Sequence, residues 1–406
     1  MKEKEGMKMK SVRSYGHVAY SLVFSMLFLF PVTPISAKMV TYVKEYRYQA
    51  SEGDSKLSCR TVAFELVKRL LLEELGTYLM SETEVKDFDL TKDRISSLTA
   101  GIVSTVILEE KWDGQTYFLK AKISTDTDEL IKLIDRIRGN QEQSKNWEEI
   151  MKKTEEALSE IEKLKKEIRK GSAEKVGQEK YVKANNELSA IYWFKKGLEL
   201  RYNDKNNKEA LKAFDKAIEI DPNYGRAYAF RAAIYNDWSQ YPKALRESEQ
   251  AIKLDPNFFV SFTGRGVAHT GMGNYREGIR DFNKAIELEP KNAPAYANRS
   301  WAYYELKTYH QGLEDAQKAI ELDPNLYYSY YHRGRSLAAL GNYQGAVEDY
   351  NQTIRLNPIF SWSFFFRGIA FMKLGKEDQA LEDFKKAASL GNREAQSSLK
   401  KKGIQW

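Results

Sequence analysis

The segment Ala319-Ile320-Glu321-Leu322-Asp323-Pro324 recurs with small variations along the second half of the chain. Each copy ends on an acidic or amide residue followed by proline, and consecutive copies are 34 residues apart: Asp221-Pro222, Asp255-Pro256, Glu289-Pro290, Asp323-Pro324 and Asn357-Pro358. A sixth interval falls at Gly391-Asn392, where the proline is missing. A fixed period of this length predicts a stack of similar supersecondary units instead of one globular core.

Small side chains recur at fixed positions inside the repeat when the proline is numbered position 32. Position 8 is always Ala, Gly or Ser, position 20 is always Ala or Gly, and position 27 is alanine in all copies but one. The pattern predicts two antiparallel helices that approach closely at these positions, with aromatic residues at positions 4, 17 and 24 filling the space beside them. Proline disfavours helical geometry in the residue before it and thereby ends each second helix.

In these positions the chain resembles the tetratricopeptide repeat family over residues 188–406, with six copies and a capping helix at 393–402. The resemblance implies an all-α superhelical solenoid in which the first helix of each copy lines a concave face. It also implies that the copies fold as an array, because no single copy can bury its own apolar side.

A second periodic signal pairs arginine at position 7 with an acidic residue at position 23. The pairs are Arg231 with Glu247, Arg265 with Asp281, Arg299 with Asp315, Arg333 with Asp349, and Arg367 with Asp383. We predict an ion pair between the two helices of each copy. The alternative is that the arginines form a stripe that binds a ligand.

The concave face is predicted to carry positions 2, 5, 6, 9 and 12 of each copy. Aromatic residues are concentrated there in copies four to six, together with arginine and histidine, which is the composition of binding hot spots. The candidate groove consists of Asn298, Trp301, Tyr304, Tyr328, Tyr331, His332, Arg335, Trp362 and Phe365. We expect it to bind a protein or peptide segment. The alternatives are a carbohydrate stacked on the aromatic rings, or a structural spacer whose aromatic face is covered by its own N-terminal half.

No constellation in the sequence points to catalysis. Cys59 is the one cysteine, which rules out a cysteine-based zinc site, and the four histidines have no metal-ligand spacing. The acidic residues Asp87, Asp89 and Asp93 are interpreted as a solvated loop, since their spacing fits no calcium site. The sequence therefore predicts a non-enzymatic scaffold without metal or cofactor.

The N-terminus has the three parts of a secretory signal peptide: five basic residues, an apolar core at 18–30, and a small-residue exit at Ser36-Ala37. Cleavage after Ala37 would place the mature chain outside the cytoplasm, in a bacterial periplasm, with an uncleaved membrane anchor as the alternative. Removing residues 1–37 lowers the formal charge from +7 to +4. Such a mild charge does not favour nucleic acid as a partner.

Residues 38–139 are predicted to form a small α+β domain. We expect a strand over 39–49, a helix from about 55 to Leu75 that Gly76 ends, a strand over 78–85 and a short helix over 91–100. A hairpin follows, with strands at 102–112 and 115–124 joined by Asp113-Gly114. A closing helix is expected over 127–138.

This domain resembles envelope domains of the flagellar assembly protein T N-terminal and small outer-membrane lipoprotein type. The resemblance rests on Arg60, Ala63, Gly76-Thr77, Ala100-Gly101-Ile102-Val103, Trp112-Asp113-Gly114 and Tyr117. It implies a fold and a cell-envelope location and no activity.

Residues 140–187 are predicted to be a heptad helix followed by a flexible joint at Gly171–Gly177. The apolar seam of the heptads is Trp147, Ile150, Thr154, Ala157, Ile161, Leu164 and Ile168. The seam could form a homodimer through residues 147–168 or pack along the neighbouring domain. The whole chain is thus predicted to be multi-domain: a small α+β domain, a heptad helix and an all-α superhelical solenoid.

Overall fold

The computed structural model describes residues 39–51, 53–82, 99–100, 103–139, 141–169, 175–202 and 206–406. The predicted signal peptide and the acidic loop at 87–93 lie outside these residues. Within the described part of the chain, no helix is both long and apolar enough to span a membrane.

The N-terminal domain is built on a three-stranded antiparallel sheet. Its strands are β1 (Met39–Gln49), β2 (Thr105–Trp112) and β3 (Thr116–Asp126), in the order β1-β3-β2. The predicted hairpin is confirmed: Gly114 has a φ of +97°, and the Asp113 carboxylate accepts hydrogen bonds from two backbone N–H groups after it. A helix, α1 (Lys56–Glu82), covers one face of the sheet, and its apolar side chains form one core with Leu119 and Ile123.

Two predictions about the end of α1 are wrong. The helix continues through Gly76 to Glu82, so the strand predicted over 78–85 is helical as far as residue 82. Leu75 and Leu79 are both buried and extend the apolar stripe of the helix by a full turn. One helical glycine costs only about 1 kcal/mol, which this burial outweighs. Most of the short helix predicted over 91–100 lies outside the described residues.

Three helices connect the sheet to the repeats: α2 (Thr127–Gly139), α3 (Gln141–Arg169) and α4 (Lys175–Tyr202). The helix predicted over 127–138 is confirmed by α2. The heptad seam on α3 is buried within the same chain. Ala157, Ile161 and Leu164 belong to the core of the sheet domain, whereas Trp147 and Ile150 belong to the core of the first repeats. A homodimer through residues 147–168 would have to replace these contacts.

The helix α4 runs through the predicted boundary between residues 187 and 188. Residues 175–187, including Gly177, are helical and not a flexible joint; residues 170–174 lie outside the described part. Tyr181 and Leu188 pack into the sheet domain, and Phe194 and Leu198 pack into the repeats. The helix α4 thus contributes to both cores, because buried residues follow one another along it on both sides of the predicted boundary at residues 187 and 188.

The repeats form helix pairs with the predicted period. The helices are α5 (Asn207–Ile220), α6 (Gly225–Asp237), α7 (Tyr241–Leu254), α8 (Phe259–Gly271), α9 (Tyr275–Leu288), α10 (Ala293–Glu305), α11 (Tyr309–Leu322), α12 (Tyr327–Ala339), α13 (Tyr343–Leu356), α14 (Ser361–Lys373), α15 (Glu377–Ser389) and α16 (Arg393–Lys401). The first pair is α4 with α5, each later pair follows in order, and α16 packs on α15. The all-α array and its capping helix are confirmed.

Positions 8 and 24 of the repeat are complementary in size. Where position 8 is glycine, an aromatic ring from position 24 lies against it: Gly197 with Phe214, Gly266 with Phe282, Gly334 with Tyr350, and Gly368 with Phe384. In the other two copies position 8 carries a side chain, and position 24 is Ser248 or Ala316. An aromatic residue at position 24 thus accompanies glycine at position 8, in four of the six copies.

The predicted ion pairs are present in all five copies that carry both residues. Four of the five arginines also donate to the preceding copy; for example, Nη1 of Arg299 donates to Asn283, and Nη1 of Arg367 donates to Asn351. Each guanidinium is thus occupied by partners within the array. These contacts assign the stripe a structural role.

Candidate ligand-binding groove

A groove of about 580 Å³ lies inside the superhelix formed by the repeats. The end of α4 and the helices α6, α8, α10, α12 and α14 contribute to it, which are the first helices of the six copies. The superhelical stacking therefore brings residues from the first copy and the last copy to one cavity.

The side chains that line the groove range from small to aromatic. Small and aliphatic residues come from copies two and three: Ala233, Val260, Thr263, Gly264 and Val267. Aromatic residues come from the first two copies (Tyr202, Phe230 and Tyr241) and from the later copies (Trp301, Tyr327, Tyr328, Tyr331, Phe360 and Trp362). The later copies therefore contribute most of the aromatic lining.

Seven of the nine predicted groove residues line this cavity: Asn298, Trp301, Tyr328, Tyr331, His332, Arg335 and Trp362. The remaining two do not. Tyr304 lies under the Arg335 guanidinium, with 3.9 Å from Cζ to the ring centroid. Phe365 packs against Trp362 and the Phe384 ring of the following helix.

Sequence reasoning missed several polar residues of the groove. Arg201 and Asn236 hold position 12 in the first and second copies, so the same positional rule predicts them. The predicted groove was limited to copies four to six, where the aromatic residues are concentrated. Arg201 forms an ion pair of 2.9 Å with Asp237, which also lines the groove.

Arg335 carries the positive charge on the aromatic side of the groove. Its Nη2 donates to Glu305 Oε1 over 2.9 Å, and Trp301 Nε1 donates to the same oxygen over 3.2 Å. The Arg335 side chain is only 12% exposed, and its buried Nε has no hydrogen-bond partner. These contacts hold the guanidinium and the Trp301 ring in fixed positions.

His332 is a neutral member of the groove. It is buried, and its ring lies parallel to Trp301 with 6.3 Å between centroids. Burial lowers the pKa of His332 to about 3, and the positive charge of Arg335 acts in the same direction. The imidazole is therefore uncharged near neutral pH and contributes an aromatic surface.

Two asparagines bring amide groups into the groove. Asn236 Nδ2 donates to the Gly264 carbonyl over 2.8 Å, and Asn298 Nδ2 donates to the Pro294 carbonyl over 2.8 Å. The Asn236 Oδ1 atom has no hydrogen-bond partner. Among the described residues, no group of three or more His, Cys, Asp or Glu is placed to hold a metal ion.

Comparison with protein families identifies the repeats. Models of the tetratricopeptide repeat match residues 189–224, 263–327 and 327–359. The repeat array of this chain is therefore built of tetratricopeptide repeats. Comparison with curated proteins found no match.

Solved structures of repeat proteins resemble parts of the chain. A tetratricopeptide repeat protein from Parabacteroides merdae is 22% identical, with 61% of this chain and 98% of that chain covered and a TM-score of 0.43. YrrB, described as having an unusual peptide-binding site, is 22% identical, with 47% and 99% covered and a TM-score of 0.34. MamA is 24% identical, with 41% and 96% covered and a TM-score of 0.33. At such identities and TM-scores, the likeness is no argument for a shared ligand.

Proposed function

We propose that this chain is a non-enzymatic scaffold of the cell envelope whose groove binds an extended peptide segment of a protein partner. One observation carries the proposal. A single cavity of about 580 Å³ is lined by small residues of copies two and three and by nine aromatic residues, six of them from the later copies. The small residues leave room for a peptide backbone, and the aromatic rings offer a large apolar surface to its side chains.

The polar groups of the groove suit a peptide main chain. Asn236 and Asn298 line the groove, and the amide group of an asparagine can hydrogen-bond to a peptide main chain. Arg201, Asp237 and Arg335 place charges of both signs in the groove, which would select among peptides by their charged residues.

A photo-crosslinking residue in the groove tests this proposal. We would place it at Val267, which lines the groove, and at Lys318, which is exposed on α11. The expected result is one protein crosslinked at position 267 and absent at position 318, with the contact mapped to a single linear segment of that protein. Equal crosslinking at both positions would contradict the proposal.

Substitutions of two half-buried groove residues supply the second test. We expect Trp301→Ala combined with Trp362→Ala to abolish the crosslink at position 267. Trp238→Ala, outside the groove lining, should leave it unchanged. Tyr331 is a poorer choice, because its ring is buried in the core against Phe360.

Soluble glycans distinguish a peptide from a carbohydrate ligand. Trp301 stacks on His332 and Trp362 stacks on Phe366, so one face of each ring is occupied within the protein. Titration of the protein with cell-wall and exported polysaccharide fragments should give no heat of binding. A saturable signal that the Trp301, Trp362 double variant loses would replace the peptide by a carbohydrate.

The envelope location is proposed from the basic and apolar N-terminus. Cell fractionation of the tagged chain, with mass spectrometry of its N-terminus, tests it. We expect a periplasmic chain that begins at Lys38. A cytoplasmic chain that begins at Met1 would contradict the location and leave the peptide-binding proposal standing.

A further inference from the structure

A second cavity, of about 270 Å³, lies at the junction of the sheet domain and the helix α4. The helix α1, the strand β2 and α4 each contribute to its walls. It shares no residue with the groove of the repeats. Its volume lies just below the range of about 300–1,000 Å³ for pockets that hold drug-sized ligands, so it suits a small molecule.

The lining of this cavity carries buried charges from both α1 and α4. Lys195 Nζ donates to Glu65 Oε2 over 2.7 Å, and both side chains are at most 4% exposed. Beside this pair, Lys68 Nζ donates to Glu199 Oε1 over 3.0 Å. Buried ions of this kind lose several kcal/mol of hydration each, which makes such a concentration at one cavity unusual.

The charges that line the cavity do not balance. Three lysines (Lys68, Lys195 and Lys196) face two glutamates (Glu65 and Glu199), which leaves one positive charge in excess. An ammonium group has three hydrogen-bond donors, so the single bonds described above leave Lys68 and Lys195 with donors to spare. The excess charge and the spare donors together favour an anion.

The lining also has an apolar part. The Phe64 and Tyr192 rings meet edge to face with 5.1 Å between centroids, and Ile107 is the third apolar residue of the lining. Two further polar atoms at the cavity, Glu65 Oε1 and Thr105 Oγ1, are buried without a hydrogen-bond partner. The spare lysine donors and the apolar side chains suit a ligand with an anionic head, a short carbon skeleton and a size below that of a peptide, whose anionic head must lie away from Glu65 Oε1.

We propose that this cavity binds a small organic acid, with its carboxylate between Lys68 and Lys195 and its carbon skeleton against Phe64, Ile107 and Tyr192. The electrostatics agree with this placement. Burial lowers the pKa of Lys195, and the nearby positive charge of Lys68 adds to the effect, while Glu65 opposes it. A bound carboxylate stabilises the charged ammonium and relieves the repulsion between the two lysines.

Three six-carbon ligands that differ in their polar head group test the proposal on the full chain: hexanoate, 1-hexanol and hexylammonium. Binding is measured by isothermal titration calorimetry at pH 7. We expect saturable binding of hexanoate alone. Equal affinity for hexanoate and 1-hexanol, or no binding of hexanoate at its solubility limit, would overturn the proposal.

Two variants locate the site. Lys195→Gln removes the proposed carboxylate partner and should raise the Kd for hexanoate about tenfold. Lys196→Gln removes the excess charge from a side chain that is 44% exposed, so it should fold normally and raise the Kd about threefold. Lys212→Gln, on the exposed surface of α5, is the matched control and should change nothing.

If Lys195→Gln does not fold, Lys196→Gln and the comparison of the three ligands test whether the cavity binds the acid. Folded Lys195→Gln and Lys196→Gln proteins that bind hexanoate as tightly as the parent would place the acid elsewhere and overturn the assignment.

Discussion

Arg299 and Asp315 form a two-point contact between the two helices of one repeat, with 2.6 Å from Nε to Oδ2 and 2.7 Å from Nη2 to Oδ1. The side chains are 17% and 10% exposed. The same guanidinium donates to Asn283 of the preceding repeat and lies over the Tyr296 ring. One arginine thus connects both helices of its own copy to the copy before it.

Replacing Asp315 by Asn should destabilise the array by about 1–3 kcal/mol, because the Arg299 guanidinium loses its charged partner in a partly buried site. Denaturant unfolding followed by circular dichroism measures the change as a lower midpoint. Glu314→Gln, one residue earlier and exposed, is the control and should have little effect. An unchanged midpoint for Asp315→Asn would show that the pair contributes nothing to stability.

Replacing Gly266 by Ala should destabilise the array although alanine is the better helix former. An added Cβ would lie 2.6 Å from the ring of Phe282, which is fully buried. Overpacking of this kind costs about 1–3 kcal/mol, against about 1 kcal/mol gained in helix propensity. We expect a lower unfolding temperature.

Gly264→Ala is the matched control on the same helix. Its added Cβ would meet Ser248 Oγ at 3.2 Å, so a small adjustment suffices. We expect its unfolding temperature to equal or exceed that of the parent. A Gly266→Ala protein that is as stable as Gly264→Ala would refute the size complementarity of positions 8 and 24.

The array should lose stability as the pH falls from 7 to 4, in part through His332. Burial lowers the pKa of this histidine to about 3, whereas an unfolded histidine has a pKa of about 6.5. Between these values the unfolded chain binds the proton and the folded chain does not, so stability falls with the pH. The contribution of His332 at pH 4 is about 3 kcal/mol.

His332→Gln removes this contribution and isolates it from the other titrating groups. We expect the difference in unfolding free energy between pH 7 and pH 4 to be smaller in the variant than in the parent. The same pH dependence in both proteins would mean that His332 is charged in the folded array at pH 4.

Replacing Tyr181 by Phe should loosen the attachment of α4 to the sheet domain. The Tyr181 hydroxyl donates to the Asp54 carboxylate over 2.9 Å and lies 3.0 Å from the Tyr48 hydroxyl, at a fully buried site. Its loss leaves Asp54 with one donor fewer and should cost about 1–3 kcal/mol. Hydrogen exchange should rise in both α1 and α4, while Tyr275→Phe, at the start of α9, should leave these helices unchanged.

The repeat array was predictable because its signals are local and periodic. The spacing of Asp323-Pro324 and its counterparts defines where each pair of helices ends, and the pairing of Arg299 with Asp315 follows from their fixed positions in the repeat. The end of α1 was not predictable in this way. Glycine commonly ends a helix, so the sequence predicts a helix end at Gly76. Only the burial of Leu79 in the tertiary core explains why the helix continues.

The heptad seam was also predictable only in part. Its spacing predicts an apolar stripe on α3 correctly, but spacing alone does not identify what covers the stripe. Tyr181 and Leu188 of α4 do so at one part of the seam, and Phe194 does so at another. The covering helix comes from a segment whose glycines favoured a flexible joint, and its contacts with both cores override that local preference.

The sequence by itself determined the class of protein, the helix pairs, the inter-helix ion pairs and four of the nine aromatic residues of the groove. These features recur every 34 residues, so each follows from the geometry of a single repeat. Only the tertiary structure decided that residues as distant as Arg201 and Trp362 line one groove, and that Lys68 and Lys195 share a second cavity. The curvature of the stack and the docking of α1 on α4 depend on the sum of many side-chain contacts, which no single period in the sequence records.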